Sequence, residues 1–211
     1  MHCNISPGRP GSIVFLNGTS SSGKTTILKA LQNILAEPFL DAGIDKFIWM
    51  MPERYLERPL WDDVLGKADH AGQTGLSLVD AMHKTIETLS LAGWNVISDH
   101  VLVENAWRED CIRRFSALPA YLIGIRCPLG ELERREKARK NRTLGQARLQ
   151  YEVVHTGLKY DLEVDTSILS AEECAEKIKS WLVSHPPEAL RNMRQDREIP
   201  QKFNFSPAQS G

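Results

Sequence analysis

The sequence predicts an α/β fold built on a parallel β-sheet, and three observations predict it. Short apolar runs alternate with stretches of helical periodicity along most of the 211 residues, as in strands joined by crossover helices. The first run, Ile13–Leu16, passes directly into "GTSSSGKTT" (Gly18–Thr26) and then into a helical stripe. Composition is ordinary globular, 42% hydrophobic and 25% charged, which suits one domain with a real core.

Taken in order, residues 1–11 are Gly/Pro-rich and polar and read as a flexible leader. The folded domain is expected over 12–184. Thr25–Leu35 places Ile27, Leu28, Leu31, Ile34 and Leu35 at helical spacing. "SLVDAMHKTIETLSLAG" puts Leu78, Met82, Ile86 and Leu89 on one stripe, and Gly93 supplies a stop. "WNVISD" is a strand ending at Asp99; Ala106–Phe115 reads as helix; "AYLIGIRC" is a further strand. Leu129–Gln150 is helical and rich in Arg, Lys and Glu, and "LEVDTS" is a short strand. Ser170 with Glu173 forms a capping-box pattern ahead of Ala175, Ile178, Trp181 and Leu182. From His185 to Gly211 apolar periodicity is weak, so a loosely held tail is expected, with a short helix near Glu188–Met193.

"GTSSSGKTT" fits GxxxxGK[ST] through Gly18, Gly23, Lys24 and Thr25, with a strand before it and a helix after it. Glycines permit unusual backbone angles and leave room for oxygen atoms against the chain. The N–H groups of Ser20–Thr25 then converge on one point, at which the helix dipole also aims. Lys24 adds a mobile charge for the terminal phosphates, and the Thr25 hydroxyl suits magnesium, which prefers oxygen ligands. Residues Gly18, Thr19, Ser20, Ser21, Ser22, Gly23, Lys24, Thr25 and Thr26 are therefore the expected nucleotide-binding loop, with Lys24 also catalytic. The motif shows binding of a polyphosphate; by itself it does not show catalysis.

Other classes are disfavoured. A net charge of −1 recommends neither nucleic acid nor an anionic membrane as partner. No apolar stretch approaches the roughly 20 residues of a membrane span, and the N-terminus lacks the apolar core of a secretory signal. Cys3, Cys111, Cys127 and Cys174 are scattered, without a CxxC pair. That argues against a disulfide framework or zinc site and fits a reducing, cytoplasmic setting.

Asp99 ends an apolar strand, where a carboxylate lies beside the phosphate loop and helps hold magnesium or its waters; a contact with substrate is the alternative. Ser98, Asp99 and His100 are consecutive, so alternate side chains face opposite ways and cannot form a hydrolase triad. His100 is expected to line a pocket or to be a satisfied loop histidine. Arg135, Arg139 and Arg142 fall at i, i+4, i+7 on one helical face. Glu131, Glu133 and Glu136 are interspersed, so a salt-bridged solvated helix is the plain alternative. The long segment between Asp45 and the Leu76 helix holds Phe47, Trp49, Met50 and Trp61, which either fill core or line an acceptor pocket.

Five stretches together resemble the chloramphenicol phosphotransferases: "VFLNGTSSSGKTT", "FLDAGIDKFIWMMP", "VISDHVL", "GIRCPLGELERREKARKNR" and "YEVVHTGLKYDLEVDTS". The similarity spans roughly Ser12 to Leu182. It implies a P-loop NTPase fold with a five-stranded parallel sheet, order 2-3-1-4-5, and a helical lid over about 129–150. It implies ATP-dependent phosphorylation of a hydroxyl on a small molecule, with Mg2+, and a homo-oligomer, although no interface pattern stands out. Asp45, in "AGIDKF", matches the carboxylate that accepts the hydroxyl proton; a turn aspartate after Gly43 is the alternative. Arg135, Arg139 and Arg142 match lid arginines that cover the transferring phosphate. Other readings on the same scaffold are a nucleoside or nucleotide kinase, kept open by Arg54 and Arg58, a non-catalytic nucleotide switch, and a kinase toxin acting on a sugar nucleotide.

Overall fold

The computed structural model describes residues 8–53, 73–138 and 145–202. Five parallel strands form one sheet: β1 Ile13–Asn17, β2 Phe39–Asp41, β3 Asn95–His100, β4 Ala120–Arg126 and β5 Leu162–Asp165. Their order is β2-β3-β1-β4-β5, as the resemblance implies. The helices are α1 Lys24–Ile34, α2 Ile44–Ile48, α3 Gln73–Leu91, α4 Asn105–Phe115, α5 Leu129–Ala138, α6 Gln146–Tyr151, α7 Ala171–Ser184 and α8 Ala189–Lys202.

Both faces of the sheet are covered, which is why "IVFLN" is apolar without interruption for four residues. Strand alternation divides it: Ile13 and Phe15 enter the layer built with α3, α4 and α8, while Val14 and Leu16 enter the layer built with α1 and α7. Helical stripes complete each layer. Ile27, Leu28 and Leu31 of α1 pack with Cys174, Ala175 and Ile178 of α7. Val79, Met82 and Ile86 of α3 pack with Trp107, Ile112 and Phe115 of α4. Gly93, at φ 89°, ends α3 as expected, and Ser170 and Glu173 make the capping box at α7.

Two expectations change. The segment Leu129–Gln150 is not one described helix: α5 and α6 are separate, and 139–144 lies outside the described residues. Beyond His185, where a loose tail with a short helix near Glu188–Met193 is expected, the chain forms the longer, 14-residue α8. Ala189, Leu190 and Met193 form one buried stripe against the α4 layer. Asp161 Oδ1 accepts from the N–H groups of Glu188 and Ala189 at 2.7 and 2.9 Å, satisfying the start of the helix. Polar surface residues had diluted the apolar signal of this helix. Cys3 and Trp61 lie outside the described residues.

Parallel strands deliver all their carboxyl ends to one edge. The loops after β1, β2, β3 and β4 therefore meet there, where ligands of open α/β sheets bind.

Candidate active site

The loop after β1 is built by three different devices. Gly23 stands at φ 91° and opens α1. Gly18 is needed for space instead: a Cβ there would lie 2.6 Å from Ile125 O and 2.9 Å from Ser22 Oγ. The left-handed turn between them falls on Ser21, at φ 63°, a conformation unusual for a residue with a side chain. No side chain caps the N-terminus of α1, and its first turn carries no acid, so the positive end of the dipole is left to a ligand.

The cradle shows what it fits. The hydroxyls of Ser20, Ser21 and Ser22 are buried and make no hydrogen bond; buried polar atoms are otherwise nearly always paired. Lys24 is 8% exposed, and its Nζ donates to Gly18 O and Thr19 O at 2.8 and 2.6 Å. A cluster of donors with a lysine laid across it fits an anionic polyphosphate. Thr19 belongs to the same buried loop, whereas Thr26 is exposed on α1.

Thr25, Asp45 and Asp99 come together in this cleft, which encloses about 480 Å³, part of it open to solvent. Ser20, Ser21, Gly23, Lys24, Ile44 and Val101 also line it. Thr25 Oγ1 donates to Asp99 Oδ2 at 2.6 Å. Burial raises the Asp99 carboxyl above its ordinary range, while the Lys24 charge and the Thr25 hydroxyl pull it back. The described residues contain no cluster of three His, Cys, Asp or Glu side chains fit for a metal. A Thr hydroxyl and one carboxylate nonetheless suit magnesium, which keeps waters and takes phosphate oxygens to complete its shell.

Asp45 lies in the first turn of α2 rather than at the strand end itself. Asp41 turns the chain, accepting from Gly43 N–H at 3.1 Å and pairing with Lys46 at 3.4 Å. Gly43 has a sharper role that the sequence did not disclose. A Cβ on it would lie 1.9 Å from Asp99 Oδ1. Gly43→Ala is thus expected to push Asp99 off Thr25. An ångström-scale displacement of this kind costs on the order of 10²-fold in turnover, to be read in a phosphotransfer assay beside a thermal melt.

The predicted arginines are placed less simply. Arg139 and Arg142 lie outside the described residues. Arg135 does not line the cleft: its guanidinium donates to Glu131 Oε1 at 2.7 Å, to Thr166 O at 2.7 Å and to Thr166 Oγ1 at 3.0 Å. Thr166 Oγ1 in turn donates to Ser22 O at 2.9 Å. Arg135 thereby braces the outer side of the loop, beside Gly23. Of the apolar side chains proposed for acceptor or core, Phe47 is core, while Trp49 and Met50 are exposed.

His100 is not in a loop; it ends β3 and points away from Asp99, toward α3, as strand alternation requires. Val101 N–H donates to His100 Nδ1 at 2.8 Å, so the proton of neutral His100 sits on Nε2 and is donated to His83 Nε2 at 2.9 Å. His83 Nδ1 then donates to Asp110 Oδ2 at 2.8 Å. Ser98 Oγ donates to Ala42 O, so no hydrolase triad exists here. Burial holds His100 well below its ordinary value of 6.5. His155, half-buried beside Arg126, is lowered to about 4. Both are neutral when folded and protonate more readily when unfolded, so the unfolded chain binds more protons below about pH 6.5. Stability is expected to be level above pH 7 and to fall as pH drops from 6.5 toward 4. Asp99, raised by burial, contributes with the opposite sign. Urea midpoints measured across pH 5 to 8 check this.

Sequence reasoning missed a second concavity, across Thr19 from the cleft. It is lined by Thr19, Arg126, Cys127, Pro128, Tyr151, Glu152, His155, Thr156 and Asp165 and encloses about 930 Å³ of partly open space. It also missed Gln146 and Gln150, which line the cleft from α6. Neither had a local signal, since both arise from segments far apart in the chain.

The sequence model of the family described as "Chloramphenicol phosphotransferase-like protein" matches residues 11–183. The chain belongs to the chloramphenicol phosphotransferase-like family. A Mycobacterium tuberculosis protein named "Putative O-phosphotransferase" is 30% identical over 199 residues, covering 87% of this chain and 88% of that one. The fold also matches an unliganded sugar kinase from Janibacter sp. HTCC2649, at TM-score 0.61 and 17% identity over 87% of this chain and 98% of the other. The Mycobacterium tuberculosis APS kinase CysC, solved with AMPPNP and APS, matches at TM-score 0.54 and 16% identity, over 83% and 99%. This member of the family is a phosphotransferase on a P-loop kinase fold, and no helix among its described residues is long and apolar enough to cross a membrane.

Proposed function

We propose that this phosphotransferase moves the γ-phosphoryl group of ATP to a hydroxyl of a small molecule, with an acceptor of the chloramphenicol type as the first candidate. The observation that carries this reading is the convergence of a phosphate loop, Lys24, the Thr25–Asp99 pair and Asp45 on one cleft. The loop amides and Lys24 grip the β- and γ-phosphates, and the concavity beyond Thr19 receives the nucleoside end. Thr25 and Asp99 would hold a magnesium ion, which when bound would neutralise charge at the phosphates.

Asp45 orients the acceptor hydroxyl and takes its proton. A bond forms between that oxygen and the γ-phosphorus as the bond to the departing ADP breaks, so charge is conserved across the cleft. Helix α6, which lines the cleft through Gln146 and Gln150, stands beside the phosphates. The test is incubation with ATP, Mg2+ and a panel of hydroxylated antibiotics, chloramphenicol included, with sugars and nucleosides alongside. The expected result is one acceptor gaining the mass of a phosphoryl group. Phosphorylation confined to nucleosides would move the assignment to a nucleoside kinase.

A further inference from the structure

Thr166 stands just past β5, and its hydroxyl reaches the phosphate loop. Oγ1 donates to Ser22 O at 2.9 Å, a bond between residues 144 apart. Arg126 O lies farther off, at 3.4 Å, so the single hydroxyl proton is best spent on Ser22. Arg135 orients the same hydroxyl from the other side. Its Nη1 donates to Thr166 Oγ1 at 3.0 Å and its Nη2 to Thr166 O at 2.7 Å, while its Nε donates to Glu131 Oε1 at 2.7 Å. Thr166 N–H donates to Arg126 O at 3.0 Å. Thr166 is thus tied through N, O and Oγ1 to β4, to α5 and to the loop after β1.

What Thr166 holds is one side of a peptide plane. The Ser22 carbonyl and the Gly23 N–H belong to the same trans unit and point in opposite directions. A carbonyl held outward on Thr166 therefore turns the Gly23 N–H inward. Gly23 lines the cleft, and Thr166 does not. Backbone preference alone does not set this direction. Gly23 stands at φ 91°, but glycine tolerates either sign of φ, so the peptide ahead of it can turn over. The amide matters because the loop does not offer all of its donors. Ser20 N–H donates to Gln150 Oε1 at 2.6 Å and Ser22 N–H to Thr19 O at 3.3 Å. Gly23 N–H meets no backbone acceptor among the described residues.

We propose that Thr166 is a positioning residue for phosphoryl transfer: its hydroxyl, oriented by Arg135, locks the Ser22–Gly23 peptide so that the Gly23 N–H faces the bound phosphates. This rests on the kinase reading above and deepens it by naming what aims the loop. Thr166 touches no phosphate itself; it acts through the loop carbonyl, and Arg135 acts through Thr166.

Two substitutions separate this role from a purely structural one. Thr166→Val keeps the shape and removes the hydroxyl. Thr166→Ser keeps the hydroxyl. Calorimetry with Mg2+ would measure ADP and a non-hydrolysable β,γ-imido ATP analogue on each, beside thermal melts of the free proteins. A hydrogen bond to a charged group contributes about tenfold to a hundredfold in affinity. The expected result is a loss of about tenfold or more for both nucleotides in Thr166→Val, with Thr166→Ser within about twofold of the wild type. If Thr166→Val melts lower but binds both nucleotides as the wild type does, the bond is structural and the proposal is overturned. Equal losses in the valine and serine variants overturn it too, since the hydroxyl would then not be the cause. Thr166→Ala removes the same hydroxyl and replaces the valine variant should that one not fold; failure of both to fold assigns Thr166 to folding and overturns the proposal. In each of these cases the wild type still binds nucleotide and the kinase reading stands. Should the wild-type protein bind neither nucleotide, the kinase reading falls first and this inference with it.

Discussion

Replacing Lys24 with alanine is expected to lower phosphotransfer by about 10²–10³-fold, the cost of removing one preorganised donor from a developing charge. The loss has two sources. Lys24 is the buried ammonium of the loop, held by Gly18 O and Thr19 O, and it is poised to exchange those carbonyls for phosphate oxygens. It also keeps the Asp99 carboxyl from rising further. Without it, Asp99 is ionised less readily and the Thr25–Asp99 pair becomes a poorer metal ligand set. Triphosphate affinity and turnover should therefore fall together, and raised Mg2+ should not restore them. Unchanged calorimetry with ATP analogues in Lys24→Ala would remove the loop from the mechanism.

Asp45→Asn should behave differently. General-base assistance contributes typically 10²–10⁴-fold, and turnover should drop within that range while nucleotide affinity stays within about twofold. Asparagine keeps the shape and can still donate or accept a hydrogen bond, but it cannot take the hydroxyl proton. Asp45 sits on α2, positioned by the Asp41 turn and the core packing of Ile44, Phe47 and Ile48. The substitution therefore leaves the loop after β1 intact. Equal losses in turnover and in ATP affinity would show that Asp45 supports binding and is not the base.

Much of the lining of this cleft was legible in the sequence. The phosphate loop is a local device: its residue types, spacing and flanking elements lie within about fifteen residues, so the pattern survives in one dimension. Asp99 was legible because a strand end in such a sheet faces the loop, and His100 was turned away from it by strand alternation alone. The sheet order and Asp45 followed from likeness to a family. The lid arginines were read with the same logic, but Arg135 has a competing partner four residues earlier, Glu131, and braces the loop from outside.

The sequence by itself determined the fold class, the phosphate loop and the strand-end carboxylate Asp99, because those follow from patterns of neighbours along the chain. Tertiary structure alone decided that Gln150 meets Ser20, that Gly43 yields space to Asp99, that His83 completes His100, and that the C-terminal helix starts on Asp161. Each of these joins parts of the chain that only the folded sheet brings within hydrogen-bonding distance, and a one-dimensional pattern carries no trace of a partner that distant.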